Sequence, residues 1–193
     1  MEIRYAKETD DFKQIAKLVY ETDRYIYPYW FASKEEGICV LEDILKRPNS
    51  SYYYKNCIVA VVDGKIVGVL LYFTDKSPID YDYSDLTCKN FNYNHTITNY
   101  VVEVEKEIQK NSAYVVGIRV DENYTRRHIA ENMFEYFFKQ LQKGSKVLLD
   151  VLVENAPAFA LYKKIGFEIT SEYKGYNGYR MKKPLCYSME KKI

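Results

Sequence analysis

Arg126, Arg127 and His128 stand between an apolar run, Tyr114–Val120, and the stripe Ile129, Met133, Phe134 and Phe137, whose spacing is helical. A strand that turns into a helix presents unbonded backbone N–H groups at the positive end of the helix dipole. That is a cradle for a diphosphate. Arg126 and Arg127 add two cations to it, although arginines at a helix start also serve simply as solvated charges. His128 either bonds a phosphate, crowds it, or stands by as a spectator.

A second group of residues suits a cation. Tyr25, Tyr27, Tyr29, Trp30 and Phe31 form an aromatic stretch interrupted by Pro28. Aromatic faces attract ammonium groups, and they also pack loops onto cores. Asp75, Asp80, Asp82 and Asp85 either steer a cationic ligand or decorate a solvated loop.

The elements that must position these groups follow from pattern. Glu2–Ala6 reads as a strand, and Asp10 or Asp11 caps a helix with the stripe Phe12, Ile15, Ala16, Val19 and Tyr20. The stretch 25–31 reads as a loop because of Pro28. Ser33, with Glu36 three residues on, opens a second helix ending near Pro48. Asp63-Gly64-Lys65 between two β-branched runs, 57–62 and 66–73, is a hairpin signature. Residues 74–97 read as a long polar loop and 99–110 as a helix. Beyond the strand 114–120 come a helix ending near Gln142 before Gly144, a strand 146–153 apolar enough to be buried on both faces, a helix 156–165 closed by Gly166, and strands 167–173 and about 179–189. The strand–helix–strand order predicts one right-handed parallel crossover, and the hairpin predicts an antiparallel pair. The expected fold is therefore mixed α/β (α+β): a mostly antiparallel sheet of about six to seven strands with one βαβ unit, flanked by helices.

Composition narrows the function. The chain has 193 residues, 47% of them apolar, which suits one domain spanning 1–193 and excludes disorder throughout. Its 28 Lys plus Arg against 27 Asp plus Glu leave a net charge of +1, which argues against a nucleic-acid binder. The longest apolar run is far too short for a membrane span, and no apolar signal segment opens the sequence. Four scattered cysteines (Cys39, Cys57, Cys88, Cys186) and only two histidines (His95, His128) predict no metal site and no disulfide framework. The expected address is the cytoplasm. A monomer and a homodimer are both open.

Two segments resemble the GNAT superfamily of acetyl-CoA-dependent N-acetyltransferases. Gly117-Ile-Arg-Val-Asp-Glu-Asn-Tyr-Thr-Arg-Arg-His-Ile-Ala-Glu-Asn-Met-Phe134 is similar to the family's cofactor segment, Gln/Arg-x-x-Gly-x-Gly/Ala between strand and helix. Leu149-Asp-Val-Leu-Val-Glu-Asn-Ala-Pro-Ala-Phe-Ala-Leu-Tyr-Lys-Lys-Ile-Gly-Phe167 resembles its next strand and helix. Together they make 113–175 the cofactor half, with 9–48 and the loop 74–97 on the acceptor side. The family's pattern departs at Thr125, where Gln or Arg is usual, and at His128, where glycine is usual.

The resemblance implies roles. Amides from Arg126, Arg127, His128, Ile129 and Ala130 would hold the CoA diphosphate. The backbone of Ile118 and Val120 would pair with the pantetheine arm, the N–H of Ile118 polarising the thioester carbonyl. Asn155 would hold a pantetheine amide or a water. Tyr162 falls at the family's general-acid position; a phenol near pKa ~10 is protonated at neutral pH and can supply a departing thiolate, though a core-packing role suits it too. Tyr27, Tyr29, Trp30 and Phe31 would line the acceptor groove. Tyr114 occupies the strand region where some members carry a basic glutamate, and Glu103, Glu105 and Glu154 are the carboxylates open to that task. The implied activity is acetylation of a small-molecule amine. A protein or peptide amine, or a non-catalytic CoA-binding module, are the alternatives.

Overall fold

The computed structural model describes residues 1–77, 110–174 and 185–193. The loop and helix expected over 78–109, with Asp80, Asp82, Asp85, Cys88, His95, Glu103 and Glu105, lie outside the described residues, as do 179–184 of the last expected strand.

The elements are β1 (Glu2–Tyr5), α1 (Phe12–Tyr20), α2 (Ile26–Trp30), α3 (Lys34–Leu45), β2 (Cys57–Val62), β3 (Lys65–Thr74), β4 (Ser112–Val120), α4 (Ile129–Gln140), β5 (Lys146–Leu152), α5 (Ala156–Lys164), β6 (Glu168–Lys174) and β7 (Leu185–Lys192). They form a seven-stranded sheet in the order β1-β2-β3-β4-β5-β7-β6. Every neighbouring pair is antiparallel except β4–β5, the pair joined through α4. The mixed, mostly antiparallel architecture expected from the sequence is the one found.

Strand alternation sends the core to both faces. Cys57, Val59, Val69, Leu71 and Phe73 meet α1, α2 and α3 on one side. Ile58, Ala60, Leu70, Val115, Val147 and Leu149 meet Met133, Phe134 and Phe137 of α4, and Tyr162 of α5, on the other. The β2–β3 hairpin turns on Asp63 and Gly64, both with positive φ (50° and 75°), as a two-residue turn with that twist requires.

The caps show why the helices start where they do. Asp11 accepts the amide of Gln14 (3.0 Å), and Ser33 accepts that of Glu36 (3.1 Å), while Glu36 reaches back to the amide of Ala32 (2.7 Å).

Two local expectations are corrected. Residues 26–30 are a short helix, not a loop: Pro28 is its third residue, where no internal amide bond is yet needed, and Asp23 caps the amides of Tyr25 and Ile26 (2.7 Å each). β5 is not buried on both faces; full burial alternates along it, at Val147, Leu149 and Val151.

Near β1, the Arg4 guanidinium makes two 2.7 Å bonds to Asp10, which also accepts the Lys7 amide (2.8 Å). The hydrogen bond from Arg4 holds the Asp10 carboxyl below its usual range. A depressed folded pKa contributes stability above the unfolded value near ~3.9 and loses it as pH falls through the folded value. Asp10→Asn is therefore expected to lower the melting temperature at pH 7, by a difference that shrinks as pH falls through the folded value; thermal melts of the two proteins over an acid pH series check it.

Candidate active site

The site begins with a strand that loses a neighbour. β4 pairs with β3 along Ala113–Val120, but with β5 only along Ser112–Val115, opposite Lys146–Leu149. β5 then continues to Leu152 bonded to β7. Between the separating ends of β4 and β5, the edge of residues 116–120 has no strand partner among the described residues. The register of β4 on β3 slips between Leu71 and Tyr72, so that Val116 is an extra residue. Such a bulge bends the strand and strengthens its twist. Gly117 follows it because the turn after α1 passes there: a Cβ on Gly117 would lie 2.6 Å from the Cβ of Thr22, closer than side-chain rotation can relieve.

The far end of that edge leads into the anion cradle. The amide of Asp121 bonds the carbonyl of Val67 (2.8 Å), a single 3₁₀ turn covers Glu122–Tyr124, and α4 starts at the buried Ile129. Arg126 (φ 60°) and His128 (φ 57°) are both left-handed, the alternation that folds successive amides into an anion-binding concavity. No side chain caps α4, and the amides of Ile129, Ala130 and Glu131 find no acceptor among the described residues. A hollow of about 360 Å³ opens there, lined by Val120, Tyr124, Arg126, His128, Ala130 and Leu161 among others.

The imidazole of His128 does not plug this mouth. Its side chain is 70% exposed, and Nδ1 lies 3.1 Å from Glu131 Oε1. Lys164 of α5 donates to the other oxygen of Glu131 (2.7 Å). Lys164 first and His128 second hold that carboxyl below its usual range. The one acidic side chain in the first turn of α4 is thus occupied by Lys164 and His128. The Arg127 guanidinium lies 5.0 Å from the ring centre of Tyr124.

Ile118 and Val120 are half-buried on the open edge and pack toward α4. Asn155 is the N-cap of α5, its Oδ1 accepting the Ala158 amide (3.3 Å), so only its amide NH₂ is left for a ligand. Tyr162 is 7% exposed, with Phe134 and Phe167 each 5.9 Å away, centroid to centroid. Its hydroxyl has no partner among the described residues, and burial pushes the phenol above its ordinary pKa.

The face toward α1–α3 carries different chemistry. Leu149 and Val151 belong to the opposite core, so Asp150 between them points to this face. The Tyr114 hydroxyl donates to Asp150 Oδ2 (2.8 Å), and the Ser188 hydroxyl donates to Oδ1 (2.6 Å). Burial first, then the charge of Asp150, push the neighbouring Cys186 thiol up to about 11, which leaves it inert. Glu154, just past β5, accepts the hydroxyl of Tyr25 (2.6 Å) and the guanidinium of Arg24, and these hold its carboxyl below the usual range. Glu154 ties the loop before α2 to the end of β5.

The aromatic stretch sits deeper than a groove wall. Tyr27 (2% exposed), Trp30 and Phe31 are members of the core under α1 and α3. The side chain of Tyr29 lies outside the described residues. Asp150 escaped the sequence reading, although one signal marked it: a lone carboxylate within the apolar run 146–153.

Among the described residues no three His, Cys, Asp or Glu side chains gather to hold a metal ion. No helix described is long and apolar enough to cross a membrane.

Comparison with known proteins agrees with this architecture. The profile of the acetyltransferase (GNAT) family matches residues 11–167. An N-alpha-acetyltransferase of Saccharolobus solfataricus is 27% identical over 184 residues, 91% of this chain and 89% of that protein. An L-amino acid N-acetyltransferase of Escherichia coli is 28% identical over 83 residues, 42% of this chain and 51% of that protein. Among solved structures, an N-acetyltransferase from Staphylococcus aureus superposes with a TM-score of 0.72 at 20% identity, covering 99% of this chain and 100% of that one.

The left-handed backbone at His128 makes a stability prediction. A residue with a Cβ loses about 1–2 kcal/mol there, against roughly 0.5–1 kcal/mol for the extra unfolded freedom of glycine. His128→Gly is expected to raise unfolding stability by roughly 0.5–1 kcal/mol, and His128→Ala to bring no such gain. Urea titration of the three proteins measures the difference.

Proposed function

This chain belongs to the GNAT acetyltransferase family and is an N-acetyltransferase; on that footing we propose that its acceptor is an α-amino group, in the first place that of a peptide or protein N-terminus. The support is the relative matched along nearly the whole chain, an N-alpha-acetyltransferase. A second reading, a free amino acid and thus a small-molecule amine, is favoured by the shorter match to an L-amino acid N-acetyltransferase. Both relatives are named for amino acid or N-terminal amines, which is why the α-amine is the common proposal.

The residues present fit acetyl-CoA as the donor. Unbonded amides at the start of α4 match a diphosphate, and the unpaired edge of β4 matches an extended amide-bearing arm. Acetyl-CoA supplies an activated acetyl thioester; the chain's own groups do the rest. Main-chain amides from Arg126 to Ala130 bind the diphosphate, with the charges of Arg126 and Arg127 beside them. The backbones of Ile118 and Val120 orient the pantetheine arm, and the N–H of Ile118 polarises the carbonyl. The NH₂ of Asn155 serves a pantetheine amide.

Tyr162 donates to the departing sulfur. Its dry surroundings keep it a phenol across the working pH range, and its hydroxyl, without a partner among the described residues, is available to a ligand that reaches it. The same dryness raises the basicity of a thiolate placed beside it, which narrows the gap the proton must cross.

Two experiments test this. CoA release is measured against peptides with free α-amines, the same peptides blocked at the α-amine but carrying lysine, and free amino acids. Turnover is expected with the free α-amines and not with lysine alone; turnover confined to lysine side chains overturns the α-amine assignment. Tyr162→Phe removes only a buried hydroxyl with no partner among the described residues, so it is expected to leave the melting temperature unchanged or higher while kcat falls about 10²- to 10⁴-fold.

A further inference from the structure

His128 is a costly residue for its place. Its backbone is left-handed (φ 57°) at the start of α4, where glycine would sit without strain. Strain kept at the mouth of a binding site points to a task for the side chain. The residue lies on the rim of the hollow that Arg126, Ala130 and Leu161 also line. Resting on the donor site proposed above, we propose that the imidazole of His128 is a proton-linked ligand for a phosphate of CoA. It takes up a proton as CoA binds and holds a phosphate oxygen through Nε2, with Glu131 and Lys164 as positioning residues.

Hydrogen-bond chemistry fixes which form of the ring can do this. Nδ1 lies 3.1 Å from Glu131 Oε1. The Glu131 carboxyl, held below its usual range, is ionised at neutral pH and can only accept, so Nδ1 carries the hydrogen. A neutral ring then has its lone pair on Nε2, which repels a phosphate oxygen. Only the charged ring donates from both nitrogens. Nε2 has no partner among the described residues. Lys164 of α5 donates to Glu131 Oε2 (2.7 Å), which fixes the carboxylate and leaves Oε1 to the ring.

Electrostatics couples the proton to the ligand. Among the described residues, the charged or titratable groups around the ring are Glu131 on α4, Arg126 and Arg127 in the turn before it, Tyr124 across the hollow, and Lys164 on α5. Three cations stand against one carboxylate, so in the open site they resist a further positive charge. Phosphates brought to the same mouth reverse the sign of the field there, and a charged ring becomes favourable. The balance is one of protons alone: the buffer gives up a proton, Nε2 gains it, and no covalent bond of CoA changes. Imidazoles exchange protons between about pH 5 and 8. Affinity for CoA is therefore greatest where the ring is charged and weakens as pH rises.

The test is isothermal titration of the full chain with CoA from pH 6 to pH 8, in buffers of low and of high ionisation enthalpy, so that the heats report proton uptake. At pH 7 the wild type is expected to take up roughly half a proton more per CoA than His128→Gly or His128→Asn. Between pH 6 and pH 8 it should lose about threefold to tenfold in affinity beyond any loss in those variants. Both substitutes tolerate a left-handed backbone, and comparison with them cancels the titration of CoA's own phosphate. Glycine also lets the backbone approach a phosphate closely, so the pH dependence and not the absolute affinity makes the distinction. Glu131→Gln should bind CoA with the extra uptake reduced; unchanged uptake overturns its positioning role. With 3′-dephospho-CoA, extra uptake that persists puts the bond on the diphosphate, and uptake that disappears puts it on the 3′-phosphate. Equal uptake in the wild type and both His128 variants overturns the proton-linked ligand and leaves the donor site standing. A wild-type chain that binds no CoA at millimolar concentration overturns the donor site as well.

Discussion

A backbone amide or carbonyl away from water must have a partner, and that requirement governs this molecule at one place. β4 is bonded to β3 over its length but to β5 only up to Val115. Beyond that point its second edge looks into a gap. The bulge at Val116 turns the strand, Gly117 lets the turn after α1 close over it at a distance no Cβ would tolerate, and α4 carries the chain across so that β5 returns parallel. A parallel pair needs such a crossover, and the crossover places the start of α4 at the open end of the gap. One topological step therefore produces both an edge that wants an extended partner and a helix start that wants an anion.

Electrostatics divides along the same line. The mouth of α4 carries Arg126, Arg127 and Lys164, and its first-turn carboxylate, Glu131, is bonded by Lys164 and approached by His128. Across the sheet, Asp150 and Glu154 are each held by hydroxyl donors, with Arg24 added at Glu154. A cationic mouth suits phosphates, and a carboxylate face suits an amine. Tyr162 sits between aromatic rings on the first side, buried, whereas Tyr114 is half-buried and bonded on the second.

Much of this was legible before any coordinates. The Asp63-Gly64 turn, the Ser33 and Asp11 caps and the stripe on α4 each depend on neighbours in sequence, and each was found where the pattern put it. Errors arose where a local rule had a non-local answer. Pro28 was read as a helix breaker, yet at the third position of α2 it displaces no bond. For Tyr27, Trp30 and Phe31 the pattern allowed either an acceptor wall or core packing, and α1 and α3 enclose them. Asp150 was overlooked because a carboxylate inside an apolar strand has no meaning until the partner across the sheet is known.

Sequence by itself determined the order of the strands, the helices α1, α3, α4 and α5, the single crossover and the family, because hydrophobic period, capping residues and turn glycines act over three or four neighbouring positions. Only the tertiary structure decided where β4 and β5 part, that the His128 ring swings to Glu131 and leaves the α4 mouth open, and that Tyr114 and Asp150 meet. These depend on a register slip and on side chains from separate strands. Contacts of that kind are set by the packing of whole elements, and no local pattern encodes them.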